Sequence, residues 1–398
     1  MNRVVLAAAL ILTWVAVLSC GSASHSPTTD GGTTPAADAS TPTSDAATSA
    51  SGDASQPGST DASVATDGGS PGADAGSTTS LPTLGTVTSV AEVSPAEKRG
   101  PLAVDPEGDV YNGYFFLRRF AKGATTATGS GNGIPGSGIA DLGVNSLAVD
   151  PQGNVWTSLT SRGMFMLPAG SEGNWTNENL NLTTQRTNYT GIATAADGSV
   201  YVGQQDYGVN TNKLFKLAKG ATSWTEVVAT GLPSGATDYL AFIGVTADGT
   251  AWVSMYSGVF HLAPGASAWV RDGFTATRGF TRDAAGNLWS VQEVSTDSKW
   301  HIWKHTGVTR TDMPTAGLPP YDSNFTLTTI SLDAAGSAVL GGSKNGALLL
   351  YKLASGATTW TELGGPGAAG VATPLFSTID GNGNVWISAP EGVYRTSP

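Results

Sequence analysis

The chain has one cysteine, Cys20, and four histidines in 398 residues. A single thiol excludes an intrachain disulfide and any cysteine-built metal cluster. Charge is sparse as well: 13% of residues are Asp, Glu, Lys or Arg, and 20 bases against 31 acids leave a net charge of -11. With no basic stripe, nucleic acid is not an expected partner. After residue 18 there is no long apolar run, and no stretch sustains a 3.6-residue hydrophobic period, so helices should be few. Between residues 21 and 80 large apolar side chains are almost absent, which leaves that segment nothing to build a core from. There is no Walker-type phosphate loop and no Gly-x-Ser-x-Gly nucleophile elbow.

What is present divides into residues 1-19, 20-82 and 83-398. Arg3 precedes the apolar run Val4 to Leu18, which is short of the ~20 residues a membrane-spanning helix needs and reads as a secretory h-region. The only thiol follows at once, and a thiol can carry a diacylglyceryl group as a thioether. Val17-Leu18-Ser19-Cys20 resembles the lipobox of a bacterial lipoprotein signal. The resemblance implies a signal peptide over 1-19 and lipid attachment at Cys20, hence a membrane partner. With Gly21 rather than Asp behind the cysteine, it also implies sorting to the outer membrane or cell surface of a Gram-negative bacterium. Residues 20-82 are rich in Ser, Thr, Ala, Gly, Pro and Asp, with seven acids and no Lys or Arg. They are expected to form a disordered tether with an end-to-end distance of about 45 Å. Setting aside these acids and Arg3, the remainder carries a charge of about -5, compatible with a soluble monomer.

From residue 100 one hairpin recurs. Its copies are Asp105-Pro-Glu-Gly108-Asp-Val-Tyr111, Asp150-Pro-Gln-Gly153-Asn-Val-Trp156, Ala195-Ala-Asp-Gly198-Ser-Val-Tyr201 and Thr246-Ala-Asp-Gly249-Thr-Ala-Trp252. Asp283-Ala-Ala-Gly286-Asn-Leu-Trp289, Asp333-Ala-Ala-Gly336-Ser-Ala-Val339 and Asp380-Gly-Asn-Gly383-Asn-Val-Trp386 complete the set. The glycines lie 45, 45, 51, 37, 50 and 47 residues apart, the length of a four-stranded propeller blade. Gly supplies a positive φ, Asp or Asn holds the turn backbone, and the aromatic opens a second strand that wedges against the next blade. A second pattern follows, as in Lys213-Leu-Phe-Lys-Leu-Ala-Lys-Gly220-Ala-Thr-Ser-Trp224, and predicts a third strand, a turn and a fourth strand beginning at Trp. The last repeat stops after three strands, at Gly392-Val-Tyr-Arg395, while Thr86 to Val93 is an orphan strand. The expected fold is therefore an all-β, seven-bladed β-propeller whose last blade is completed by an N-terminal strand.

Over residues 85-398 these hairpins resemble the NHL and two-component-regulator propellers, whose blades carry Asp-x-x-Gly-Asn-Leu-Trp; streptogramin lyases share that blade type. The resemblance implies the fold, and such folds host binding modules, scaffolds, lyases and lactonases alike.

Residue types that could do chemistry fit the repeat. His261 takes the position of Lys216 and Lys352, a polar and solvent-facing strand site; His301 matches Lys213, and His305 stands where Leu217 does. Asp380 to Asn384 suggests a calcium loop, with Glu391 at its twelfth place, but Val385 stands where the sixth needs glycine and the hairpin turn accounts for the segment, so no metal or other cofactor is expected. Trp156, Trp252, Trp289 and Trp386, and likewise Trp175, Trp224, Trp269 and Trp360, are blade packing, which outside residues 1-19 leaves only Trp300 and Trp303, both placed in a third strand. The variable loops fall on the face opposite the Gly turns. They supply the candidate ligand-binding residues Arg162, Gln205, Asp206, Tyr207, Tyr256, Glu293, Tyr321, Asp322 and Lys344, a mixed polar and aromatic set suited to a peptide, glycan or partner protein. No catalytic residue is assigned. The expectation is a surface-displayed binding or scaffold module; the alternative, a metal-dependent lyase or hydrolase of the streptogramin-lyase type, would rest on Glu293.

Overall fold

A computed structural model describes residues 88-89 and most of 100-396; the segments 114-116, 130-133, 135-142, 293-298, 322-324 and 364-373, and shorter pieces of other connections, lie outside the described residues. The Gly turns do what their spacing predicts. All seven turn glycines have φ between 81° and 92°, a region where a Cβ would be strained. Asp150 shows why the motif has its length. Its carboxylate accepts the backbone N-H groups of Gln152 and Asn154, the Asn154 side-chain amide, and the Trp156 indole N-H at 2.9 Å. Asp283 and Asp380 hold Trp289 and Trp386 in the same way, and Asp105 accepts the Tyr111 hydroxyl. One acid thus fixes both the turn and the rotamer of the aromatic six residues on.

Seven four-stranded antiparallel sheets follow from these hairpins. Blade 3 is representative, with strands Thr187–Thr194, Val200–Asp206, Thr211–Leu217 and Thr225–Glu226 in spatial order. The first strands of neighbouring blades contact one another all the way round, so they form the inner ring. Second strands such as Val155–Leu159 are buried along their whole length, because both faces meet another blade. In blade 7, Phe376–Ile379, Val385–Ala389 and Gly392–Arg395 are joined by Thr88–Ser89, which pairs antiparallel with the last of them (Thr88 with Arg395, Ser89 with Tyr394). The ring closes through the N-terminal strand, and no blade is left with three strands.

The seams between blades hold the core. Each second-strand aromatic packs forward: Trp156 meets Trp224 edge-on at 6.4 Å, and Trp386 meets Phe120 at 5.1 Å across the closing seam of blades 7 and 1. The second tryptophan set packs backward onto the preceding blade. Trp224 and Trp360 donate their indole N-H groups to the carbonyls of Glu178 and Pro314. Their backbone N-H groups are also taken, by Asn181 Oδ1 and the Ala316 carbonyl, as that of Trp269 is by the Thr230 carbonyl. This corrects one expectation: the fourth strands begin after the tryptophan, as in Thr225–Glu226 and Thr361–Glu362, because its N-H belongs to the neighbouring blade. Trp300 likewise precedes the third strand Ile302–Thr306 instead of lying in it, and both Trp300 and Trp303 are buried.

Candidate functional site

Antiparallel order puts the first-to-second and third-to-fourth turns on one face, and the second-to-third and inter-blade connections on the other. The candidate residues of the described part fall on this second, loop face. Arg162 is half-buried in a second-to-third connection, and its carbonyl accepts Asn179 Nδ2. Asp206 ends its strand and caps the following turn through Gly208 N-H at 2.7 Å. Tyr256 is 79% exposed, and Lys344 is exposed at a strand end. Gln205 is buried at 3% exposure, and Tyr321 packs its ring on Trp300 at 4.9 Å, so neither offers its whole side chain to solvent. Cys20, Tyr207, Glu293 and Asp322 lie outside the described residues.

Of the apolar part of this face, sequence reading found only Tyr256. Leu180, Val209, Val228 and Tyr256 are exposed by 46%, 66%, 81% and 79%, all on connections of blades 2 to 4. They sit on a pinned scaffold. The connection from blade 3 to blade 4 is held by Gly235 N-H to the Asn210 carbonyl and by Asn212 Nδ2 to the carbonyls of Pro233 and Asp238. Asp238 Oδ1 accepts Ser257 N-H, which ties the same connection to the loop carrying Tyr256. Exposed apolar groups on rigid backbone lose little entropy on binding, which suits them to a protein contact.

A second constellation comes from the histidines. Taken singly they fit repeat positions; the fold brings all three of the propeller to the seam of blades 4 and 5. The Trp252 ring has His261 at 4.8 Å and His305 at 4.2 Å, while His301 stacks on Trp303 at 5.0 Å. Arg310 covers Trp303 at 3.8 Å and reaches Asp272 at 3.1 Å. Burial raises the Asp272 carboxyl and lowers the Arg310 guanidinium, so desolvation outweighs their attraction. His261 is half-buried with its Nδ1 sealed and unpartnered, which corrects the expectation of a solvent-facing site. His305 does take the Leu position, opposite Leu288 as Leu217 is opposite Val200.

Ser290 Oγ stands 2.9 Å from His305 Nε2, the pairing of a serine nucleophile with its base. Both residues are 0% exposed, and His305 Nδ1 has no acid to orient it. Burial, with Arg310 and His261 adding like charge, pushes the imidazole down to about 3. A substrate cannot reach this pair, so it is a packing contact. Among the described residues no three His, Cys, Asp or Glu side chains converge as a metal site.

With this geometry in hand, likeness to known proteins is informative about the fold. No protein-family model matches the sequence, and no curated protein does. Among solved structures the chain is similar to streptogramin B lyase, at 16% identity and a TM-score of 0.58, over 78% of this chain and 97% of that one. It is similar to YCF48 bound to D1 peptide, at 14% identity and a TM-score of 0.54, over 80% and 96%. It is also similar to an extracellular domain from the two component system BT4673 of B. thetaiotaomicron, at 12% identity and a TM-score of 0.51, over 78% of this chain and 39% of that one. The shared feature is the β-propeller. At these identities nothing about a site carries over.

Proposed function

We propose that this is a lipid-anchored envelope protein whose propeller binds a polypeptide partner on the loop face of blades 2 to 4. The observation that carries the reading is the set of exposed apolar side chains, Val209 and Tyr256 foremost, held on a hydrogen-bonded scaffold. Arg162 and Asp206 add charge at the same face. Gln205 and Tyr321 act by shaping the loops, while Lys344 extends the surface towards blade 6. Support also comes from propellers of similar fold, one bound to a peptide and others extracellular.

Envelope material passed over the immobilised protein tests the surface. A partner captured by the wild type should be lost, by at least about tenfold, with Tyr256→Ala or Val209→Asp, since central aromatic and apolar anchors dominate such contacts. Val308→Asp, also an exposed valine but on the turn face, should capture it normally. Equal capture by all four proteins would refute the surface.

The anchor is tested separately. Cys20→Ser should abolish labelling by an alkyne fatty acid and release the protein from the membrane fraction. Undiminished labelling of the serine variant would overturn lipidation at Cys20.

A further inference from the structure

Blade 5 has an outer edge unlike the others. Its fourth strand, Thr309–Asp312, is four residues long, whereas the other six described fourth strands have two. A tight hairpin makes it. Only Gly307, at a φ of 56°, and Val308 separate it from the third strand Ile302–Thr306. Blades 2, 3, 4 and 6 have there the longer turn that leads to Trp175, Trp224, Trp269 and Trp360.

The connection from the preceding blade also differs. In blades 3, 4 and 6 that connection takes the tryptophan N-H at the start of the fourth strand; Thr230, for one, bridges to Ala268 and accepts Trp269 N-H. Between blades 4 and 5 it consists of residues 272-276 alone, against 227-241 between blades 3 and 4. A chain that short spans at most about 20 Å. Crossing from the outer strand of one blade to the inner strand of the next uses about 14 Å of this, three strand spacings. Too little remains for a detour along the rim. Thr309, Thr311 and Asp312 are exposed accordingly, and Val308 beside them is 47% exposed.

An exposed strand edge is a template for another strand, and this one is complementary to itself. Met313 donates its N-H to the Ile302 carbonyl, and Thr311 stands opposite Lys304 in the same ladder. By the alternation of an antiparallel pair, Thr309, Thr311 and Met313 turn their backbone groups inward, and Arg310 and Asp312 turn theirs outward. With a second copy laid antiparallel and Thr311 facing Thr311, each Arg310 falls opposite the other copy's Asp312. Those two pairs are the hydrogen-bonded ones, and opposite charges across them favour the register. The neighbouring registers that keep the outward groups in phase set Arg310 on Arg310, or Asp312 on Asp312. Within its own chain Arg310 reaches Asp272 at 3.1 Å, and Asp312 Oδ1 stands 3.4 Å from His301 Nδ1. A guanidinium has five N-H donors, enough to keep Asp272 and meet a second carboxylate.

We infer that the chain pairs with a second copy of itself along this edge, in place of the monomer expected from its charge. The dimer is two-fold symmetric, and the fifth blades of the two copies form one eight-stranded sheet.

Sedimentation of the full chain carrying Cys20→Ser, so that no native thiol is left, tests the association. Four residues a side fall well short of a standard interface, so a dissociation constant on the order of 10⁻⁴ M is expected. Asp312→Lys sets like charges opposite each other in both pairs, and Asp312→Pro removes an outward N-H at a place where an edge strand tolerates proline. Each should weaken association at least about tenfold. Glu362→Lys, at an exposed acid in the fourth strand of blade 6, should leave it unchanged.

A cross-link tests the register. Facing Thr311 residues have Cα atoms about 4.5 Å apart, within the range of a disulfide. Thr311→Cys should therefore oxidise to a linked dimer, and Thr361→Cys, exposed on the fourth strand of blade 6, should not. A monomer at every concentration up to about 1 mM, ten times the expected constant, would overturn the dimer. So would association unchanged by both Asp312 variants, or no more cross-linking at 311 than at 361. Thr311→Cys linked in the envelope to a different protein, and not to itself, would assign the edge to another partner and overturn it as well.

Discussion

Replacing Trp386 by alanine should cost about 3–5 kcal/mol of stability, the range for deleting a buried aromatic from a close-packed core. The side chain is 1% exposed, packs on Phe120 across the seam where blade 7 meets blade 1, and donates its indole N-H to Asp380 at 2.9 Å. Two losses coincide in the alanine variant: a cavity at the ring-closing seam, and one hydrogen bond fewer for a carboxylate that also holds the turn through Asn382 and Asn384. Trp386→Phe separates them. It keeps most of the ring contact and should cost about 1–2 kcal/mol, chiefly the charge-assisted hydrogen bond. Blade 6 has Val339 at this position, packed with Val385 and Ile387, so an aliphatic is tolerated where the seam was built for it. Urea denaturation of the variants checks the order. A loss below about 1 kcal/mol for the alanine variant would mean that the closing seam is not tightly packed.

His305→Leu should flatten the acid side of the stability curve. The folded imidazole is pushed down to about 3, against about 6.5 for an unfolded histidine. Between those values the unfolded chain binds a proton that the folded chain does not. Stability therefore rises with pH across that window, is complete above about 6.5, and is lost progressively as pH falls towards 3. The full span corresponds to roughly 3–5 kcal/mol. The lowered His261 acts in the same sense, while Asp272, raised by burial, acts in the opposite one; both remain in the variant. Leucine fits because it is the residue at this place in blades 3, 4 and 6 (Leu217, Leu262 and Leu353), and it removes the unpartnered Nδ1. Thermal melts from pH 7 to pH 4 should show the wild type falling more steeply than the variant. Parallel curves would show that His305 titrates normally and that the seam is open to water.

The repeat was legible because its chemistry is local. Within seven residues Asp150 binds the turn, Asn154 and Trp156, and that unit recurs with its glycine at a blade's spacing, so strand count and ring closure follow from counting alone. The orphan strand before the first repeat could be assigned to the last blade for the same reason, and Thr88–Ser89 pairs there. The fourth strands were placed one residue early because the tryptophan N-H binds the preceding blade, some 43 residues back in the case of Trp224 and Asn181. The histidine seam was invisible for a related reason. His261 and His305 each fit their own repeat, and only the stacking of blade 5 on blade 4 puts both rings against Trp252. Sequence by itself determined the blade and its number, since both rest on contacts a few residues apart that recur along the chain, and closure followed from counting strands at the two ends. Tertiary structure alone decided which side chains meet at the seams, because a seam joins faces about one blade apart in sequence, where no periodic signal records the partner.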